Sequence, residues 1–114
     1  MRIRTIFAAA VLVTLPVLAL AQDDHASGHD IGGAALMEAN RTMMEAMDGM
    51  QPTGDTDRDF VTMMIAHHQG AIDMAKVELA HGDDPEIRAM AEAIIAAQEA
   101  EIVEMREWLT SRSQ

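Results

Sequence analysis

Between Ala34 and Ser111, proline and glycine fall together in only two places: Gln51 to Asp57, with Pro52 and Gly54, and Gly82 to Pro85. Both residues stop helices, glycine through its backbone entropy and proline through its missing N–H. The residues between are dominated by Ala, Met, Glu, Gln and Leu, which favour helix. No run alternates apolar and polar positions as a half-buried strand would. Two breaks divide that stretch into three helices. The expected fold class is all-α: an antiparallel up-down-up helical bundle with short connections.

Apolar spacing assigns a face to each helix. The first is expected over about Ala34–Met50, with Leu36, Asn40, Met43, Met47 and Met50 in one stripe. The second runs from about Asp57 to His81 and aligns Phe60, Met63, Met64, His67, Ala71, Met74 and Glu78. Thr56 to Asp59 has the form of a capping box, with Asp in place of the usual Glu. Gly82 suits the C-cap, and His81 in the last turn suits the helix dipole. Asp84 reads as N-cap of the third helix, with Pro85 and Glu86 in its first turn. That helix reaches about Ser111, with Ile87, Met90, Ala91, Ile94, Gln98, Glu101, Ile102, Met105, Trp108 and Leu109 in its stripe. The helical domain is expected over residues 34–112.

The N-terminus has a different character. Arg2 and Arg4 precede an apolar run to Leu20, broken by Pro16 and ending in Ala19-Leu20-Ala21. A basic start, an apolar centre and small residues at a cleavage site make a secretory signal, expected to be removed after Ala21. The run is short for a membrane span, so no stable membrane insertion is expected after cleavage. The location implied is the periplasm of a bacterium or its exterior. Residues 22–33, QDDHASGHDIGG, are polar and glycine-rich, and are expected to form a disordered tail.

The formal net charge is −11, and Arg2 and Arg4 would leave with the signal. Nothing that acidic grips nucleic-acid phosphates by charge. There is no cysteine, so the fold must hold without disulfides, and soft-metal chemistry is left to methionine and histidine. Three helices, one of them short, make a modest core, which a metal or a second copy of the chain would complete.

Antiparallel pairing predicts which residues meet. A turn near residue 83 makes second- and third-helix positions level where their numbers sum to roughly 166. His68 is then level with Gln98, and His67 with Glu99, within a turn of Glu101. A turn near residue 53 makes that sum roughly 107 for the first two helices. Met63 and Met64 then face Met44 and Met43, and His67 faces Asn40. Met43, Met44, Met47, Met63, Met64 and His67 converge at one end, closed by Gln98, Glu101 and Met105.

Methionine at helical spacing is ordinarily flexible core filler. Eleven in this chain, without cysteine, also make a soft donor set. Thioethers select Cu(I) over zinc or magnesium. Neighbouring helix positions point ~100° apart, so His67 and His68 face different ways. Met63 with His67, and Met64 with His68, are i,i+4 pairs able to chelate. The alternative for a buried histidine here is a hydrogen bond to Gln98 or Glu101, which would also orient it toward a metal. The candidate metal ligands are thus Met43, Met44, Met47, Met63, Met64, His67 and His68, supported by Gln98 and Glu101. Met74 and Met105 are possible accessories.

Glu78-Leu79-Ala80-His81 matches one element of di-iron carboxylate bundles, but those need two such elements and two further glutamates. Capping by His81 and Gly82 is the better reading. In the tail, His25 and His29 stand among Asp23, Asp24 and Asp30 and would hold Cu(II) or Zn(II) loosely. Trimming of Gln22 would start the chain Asp-Asp-His, a square-planar chelator. No nucleophile–base motif or phosphate loop appears.

Asp59-Phe60, Met63-Met64-Ile65, His67-His68-Gln69-Gly70-Ala71-Ile72-Asp73-Met74-Ala75, Asp84-Pro85-Glu86, Gln98, Glu101-Ile102, Met105 and Trp108-Leu109 form a long string. It resembles domain-of-unknown-function family 305 (DUF305) over about Leu36 to Leu109. The resemblance implies a small secreted bacterial protein of ferritin-like helical fold, some members being linked to copper through methionine and histidine. Members often carry proline before the paired histidines. Ala66 stands there in this chain, so a straighter second helix is expected. The expected function is copper sequestration or buffering, Cu(I) favoured, without catalysis. The alternatives are a structural or interaction module with a methionine core, a zinc or nickel buffer, and a cuprous oxidase.

Overall fold

The computed structural model describes residues 25–113, so the expected signal at 1–21 and the start of the tail lie outside the described residues. Three helices account for the fold: α1 (His25–Asp48), α2 (Thr56–His81) and α3 (Pro85–Ser111). The all-α antiparallel array is as expected, and α3 has the bounds read from sequence. No described helix is long and apolar enough to cross a membrane.

Side-chain caps fix the ends of α2 and α3. Asp84 accepts hydrogen bonds from the Glu86 and Ile87 amides, with Pro85 beginning α3. The α2 cap differs from the capping box read in sequence. Asp55, not Thr56, accepts from the Asp57 and Arg58 amides. Asp59 is thereby released, and it takes the Thr53 amide at 3.0 Å and the Thr53 hydroxyl at 2.6 Å. At the other end of α2, the Arg88 guanidinium donates to the Leu79 carbonyl at 2.7 Å and the Gly82 carbonyl at 3.0 Å. Helix-terminal carbonyls lack intrahelical partners, so one side chain of α3 both finishes α2 and ties the hairpin. Gly82 has an extended backbone, φ −79°. Its lack of a Cβ serves another end: the Glu78 carboxylate occupies the space that a Cβ would fill.

Helix α2 is continuous and central. On one flank His68, Ile72 and Ala75 are buried toward α3, which supplies Ala91 and Ile102. Ile72, 2 % exposed, gains about 1.5–3 kcal/mol from that burial. The opposite flank, ~160° away at Gly70, is buried under α1. A Cβ on Gly70 would lie 2.7 Å from the Met43 Cβ and closer still to its sulfur, and one on Gly32 would lie 3.0 Å from the His81 Cβ. Glycines here let two helix backbones approach closely.

Those contacts correct two expectations. First, α1 begins at His25, so His25 to Gly33 continue a helix rather than a disordered tail. Docking of Gly32 on the last turn of α2 outweighs the poor helix propensity of the glycines, as tertiary contact often does. Second, the face that α1 turns to α2 is Gly32, Ala35, Ala39, Met43 and Met47, while Leu36 and Asn40 are exposed. The register moves with it. Met43 meets Gly70 and Gly32 meets His81, so α1 is displaced by nearly two turns from the expected pairing. The segment after Asp48 runs on beside the first turns of α2, held by Thr53 to Asp59, instead of turning back at residue 53.

No residue pair between α1 and α3 comes within 8 Å, Cα to Cα. The described helices form a single layer, α1 and α3 on opposite flanks of α2, with two broad faces left open. Helical phase (~100° per residue) assigns side chains to each. One face carries Leu36 and Met44 of α1, Phe60, Met63, His67, Ala71 and Met74 of α2, and Met90, Ile94 and Trp108 of α3. The other carries Gln69 and Lys76 of α2 with Glu99 and Arg106 of α3, which line a shared groove.

Candidate metal centre

Each expected ligand can now be placed. Met47 and Met63 come together as expected, and Met50 joins them. The three line a cavity of about 270 Å³ with Gln51, Pro52, Thr53, Asp59 and Thr62. Met43 lies one turn away along α1, half-buried on Gly70. Helix α1 presents Met43 and Met47 through i,i+4 spacing, α2 presents Met63, and the chain after α1 brings Met50 back. The Thr53–Asp59 bonds pin that returning segment. They hold the Asp59 carboxyl below its ordinary range, the Thr53 hydroxyl contributing most and its amide next.

Met50 stands in the sequence stripe of the first helix, but pairing levels gave it no partner. The missing signal is the length of the connection, which carries Met50 past the end of α1. Asp59 was readable only as a capping residue. Its exposed carboxylate is the one anionic group lining the cavity, so the pocket combines three neutral soft donors with one hard acceptor.

Other expected ligands do not reach this cavity. Met44 is exposed on the open face, as is His67. The pairing of Met44 with Met63 fails because the register is displaced. Met64 is half-buried on the α3 side of α2. Met74 and Met105 are half-buried elsewhere along the layer. His25 and His29 lie in the first turns of α1. Roughly 27 Å of helix rise separates His29 from Met47.

His68 is the member of the pair that faces inward. The residue is 8 % exposed, and its Nε2 lies 2.5 Å from Glu101 Oε2, on the seam with α3. Gln98, the expected level partner, does not bond to it. Glu101 stands one turn further along α3 and reaches the ring first. The second ring nitrogen, Nδ1, and Gln98 Oε1 are both buried without a protein partner. Unpartnered polar atoms are costly in a helical core. His68 and His67 have ring centroids 6.3 Å apart at 64°, consistent with rings directed to different faces.

The arrangement divides the expected single cluster in two. A thioether pocket sits on the α1–α2 seam, and a buried histidine–carboxylate pair sits on the α2–α3 seam. Among the described residues no three His, Cys, Asp or Glu side chains converge. Neutral thioethers fit Cu(I), whose charge needs no carboxylate cage.

The model of a family described as "Domain of unknown function (DUF305)" matches residues 13–109. The match covers α1, α2 and all but the last two residues of α3, and it begins ahead of Leu36, within the apolar N-terminal run. No curated protein matches the chain.

Proposed function

The chain belongs to the DUF305 family, and from that premise we propose that it is an exported copper-binding protein that sequesters or buffers Cu(I) without turning over a substrate. The observation that carries this reading is the cavity where Met47, Met50 and Met63 meet. Met43 on the adjoining turn would supply a further thioether. Bound there, Cu(I) would take soft neutral sulfur donors in a chain without cysteine. Asp59 holds the returning segment in place, so Met50 stays beside the two helices. His68, with a buried nitrogen that lacks a partner, is the nearest candidate for a separate nitrogen site on the α3 seam. The basic, apolar and small-residue pattern of Met1 to Ala21 supports export, and mass analysis of the secreted protein should find an N-terminus at Gln22.

Anaerobic Cu(I) competition with a chromophoric chelator tests the reading. The variant joins Met47→Leu, Met50→Leu and Met63→Leu, which nearly conserve volume and cost under ~1.5 kcal/mol each. Loss of Cu(I) affinity by 100-fold or more, with helicity kept, is the expected result. A variant that binds Cu(I) as well as the parent would sink the assignment. Loss of Zn(II) binding on His68→Ala, with Cu(I) binding indifferent to the methionines, would favour the zinc or nickel buffer instead.

A further inference from the structure

The open face of the layer carries exposed apolar side chains from all three helices. Phe60 is 62 % exposed, Met90 57 %, Met44 46 % and Met63 42 %. By phase they point to the same side, together with Leu36 and Ile94. Among the described residues, Glu78, Glu86, Glu101 and Glu104 fall on that side by phase, and Glu101 is already engaged by His68. The opposite face carries the charged groove of Lys76, Glu99 and Arg106. A layer with one apolar and one charged face is half of a two-layer domain.

We infer that a second copy of this chain docks on the open face, closing two three-helix layers into a six-helix domain. The argument is one of area and of deficit. Helices of this length span about 36–40 Å at 1.5 Å per residue, and three abreast at 8–10 Å spacing are roughly 25–30 Å wide. The face therefore offers about 1,000 Å² per copy, above the ~800 Å² per partner of a stable interface. The layer alone buries four apolar side chains, Ile72, Ala75, Ala91 and Ile102, among the described residues. It has no disulfide to compensate, and small folds in that position are commonly completed by oligomerisation.

Symmetry favours the same chain as occupant. An isologous interface needs a self-complementary patch. A twofold axis lying in the interface, perpendicular to α2 at the level of His67, places Phe60 of one copy against Met74 of its partner, and Met64 against Ala71. Large side chains then meet smaller or more flexible ones, and the two His67 rings approach the axis. A lipid surface suits the face less well. Interfacial helices carry many Lys and Arg along the membrane rim, whereas this face has Glu78, Glu86 and Glu104 against a single arginine, Arg112 over Trp108, in a chain of formal net charge −11. The inference stands independently of copper: of the side chains it uses, Met63 also lines the thioether cavity, and the test below leaves Met63 unchanged.

The test is sedimentation velocity of the exported protein, metal-free, over nanomolar to micromolar concentrations, with Phe60→Glu and Met90→Glu combined in one variant. Both side chains are exposed in the single chain, so helicity by circular dichroism should persist while self-association weakens at least 100-fold. Val103→Glu, on the charged face and 55 % exposed, should leave the dimer intact. A monomeric parent at all concentrations overturns the inference. So does a dimer that survives the double variant or is lost equally with Val103→Glu. Co-flotation of the parent with vesicles of phosphatidylglycerol and phosphatidylcholine, without dimer in solution, would overturn it in favour of a lipid surface.

Discussion

The two seams along α2 are built from different materials. The α3 seam packs branched aliphatics and alanines, Ile72 and Ala75 on Ala91 and Ile102, and adds polar links from Arg88 and from His68 to Glu101. The α1 seam rests on close backbone approach at Gly32 and Gly70 and on thioethers. Among the described residues no side-chain hydrogen bond joins α1 to α2. Its nearest polar fastening is the loop bond from Thr53 to Asp59. The aliphatic seam is a specified hairpin, whereas the methionine seam can adjust its shape. A binding pocket falls on the softer side, where side chains can move without unmaking the fold.

The largest expected effect tests the firm seam. Ile72→Ala should cost about 2–5 kcal/mol, as buried aliphatic truncations do. Urea unfolding followed at 222 nm would read it, and a cost below 1 kcal/mol would mean that this seam is not the core. Gly70→Ala probes the soft seam. Helix propensity alone would stabilise by up to ~1 kcal/mol, but a methyl there collides with Met43 down to its Cβ. Overpacking costs ~1–3 kcal/mol, so a net loss of about 1 kcal/mol is expected. Hydrogen exchange should rise in α1 while α3 keeps its protection, and a stabilised variant would show that α1 does not press on α2 so closely.

Removal of a cap ranks next. Asp84→Ala should cost about 1 kcal/mol and speed amide exchange at Glu86 and Ile87. An unchanged exchange rate there would discount the cap. The smallest effect is a titration. Asp59 has a native pKa below its unfolded value, and its carboxylate contributes stability at pH above the unfolded ~3.9. That contribution fades as pH falls through the lower native value. The Thr53 amide resonance should shift in that window and stay flat in Asp59→Asn. A titration of Thr53 at pH 5 or higher would contradict the assignment. Cu(I), if it binds the thioether pocket, should raise protection in α1 more than in α3 through linkage.

How much was legible differs along the same lines. Asp84-Pro85-Glu86 carries its cap and first turn in adjacent residues, so the start of α3 follows from local chemistry alone. The short turn after His81 left little room for error, and His68 met Glu101 within one turn of the expected Gln98. The α1–α2 connection is longer and runs on past Asp48. Rigid-rod arithmetic therefore misplaced Met44 and His67 and overlooked Met50. Leu36 and Asn40 were assigned inward because apolar period shows that a stripe exists, not what covers it.

The chain by itself determined three helices, the cap that starts α3, the soft donor inventory and the family. Those properties rest on backbone preference, capping and composition, which act over a few residues. Tertiary structure decided which flank of α2 each neighbour takes, which histidine is buried and which methionines share a cavity. Those depend on how closely backbones approach at Gly32 and Gly70 and on how far the loop travels before Asp59 holds it. Such distances are sums over the whole packing, and no single stretch of sequence contains them.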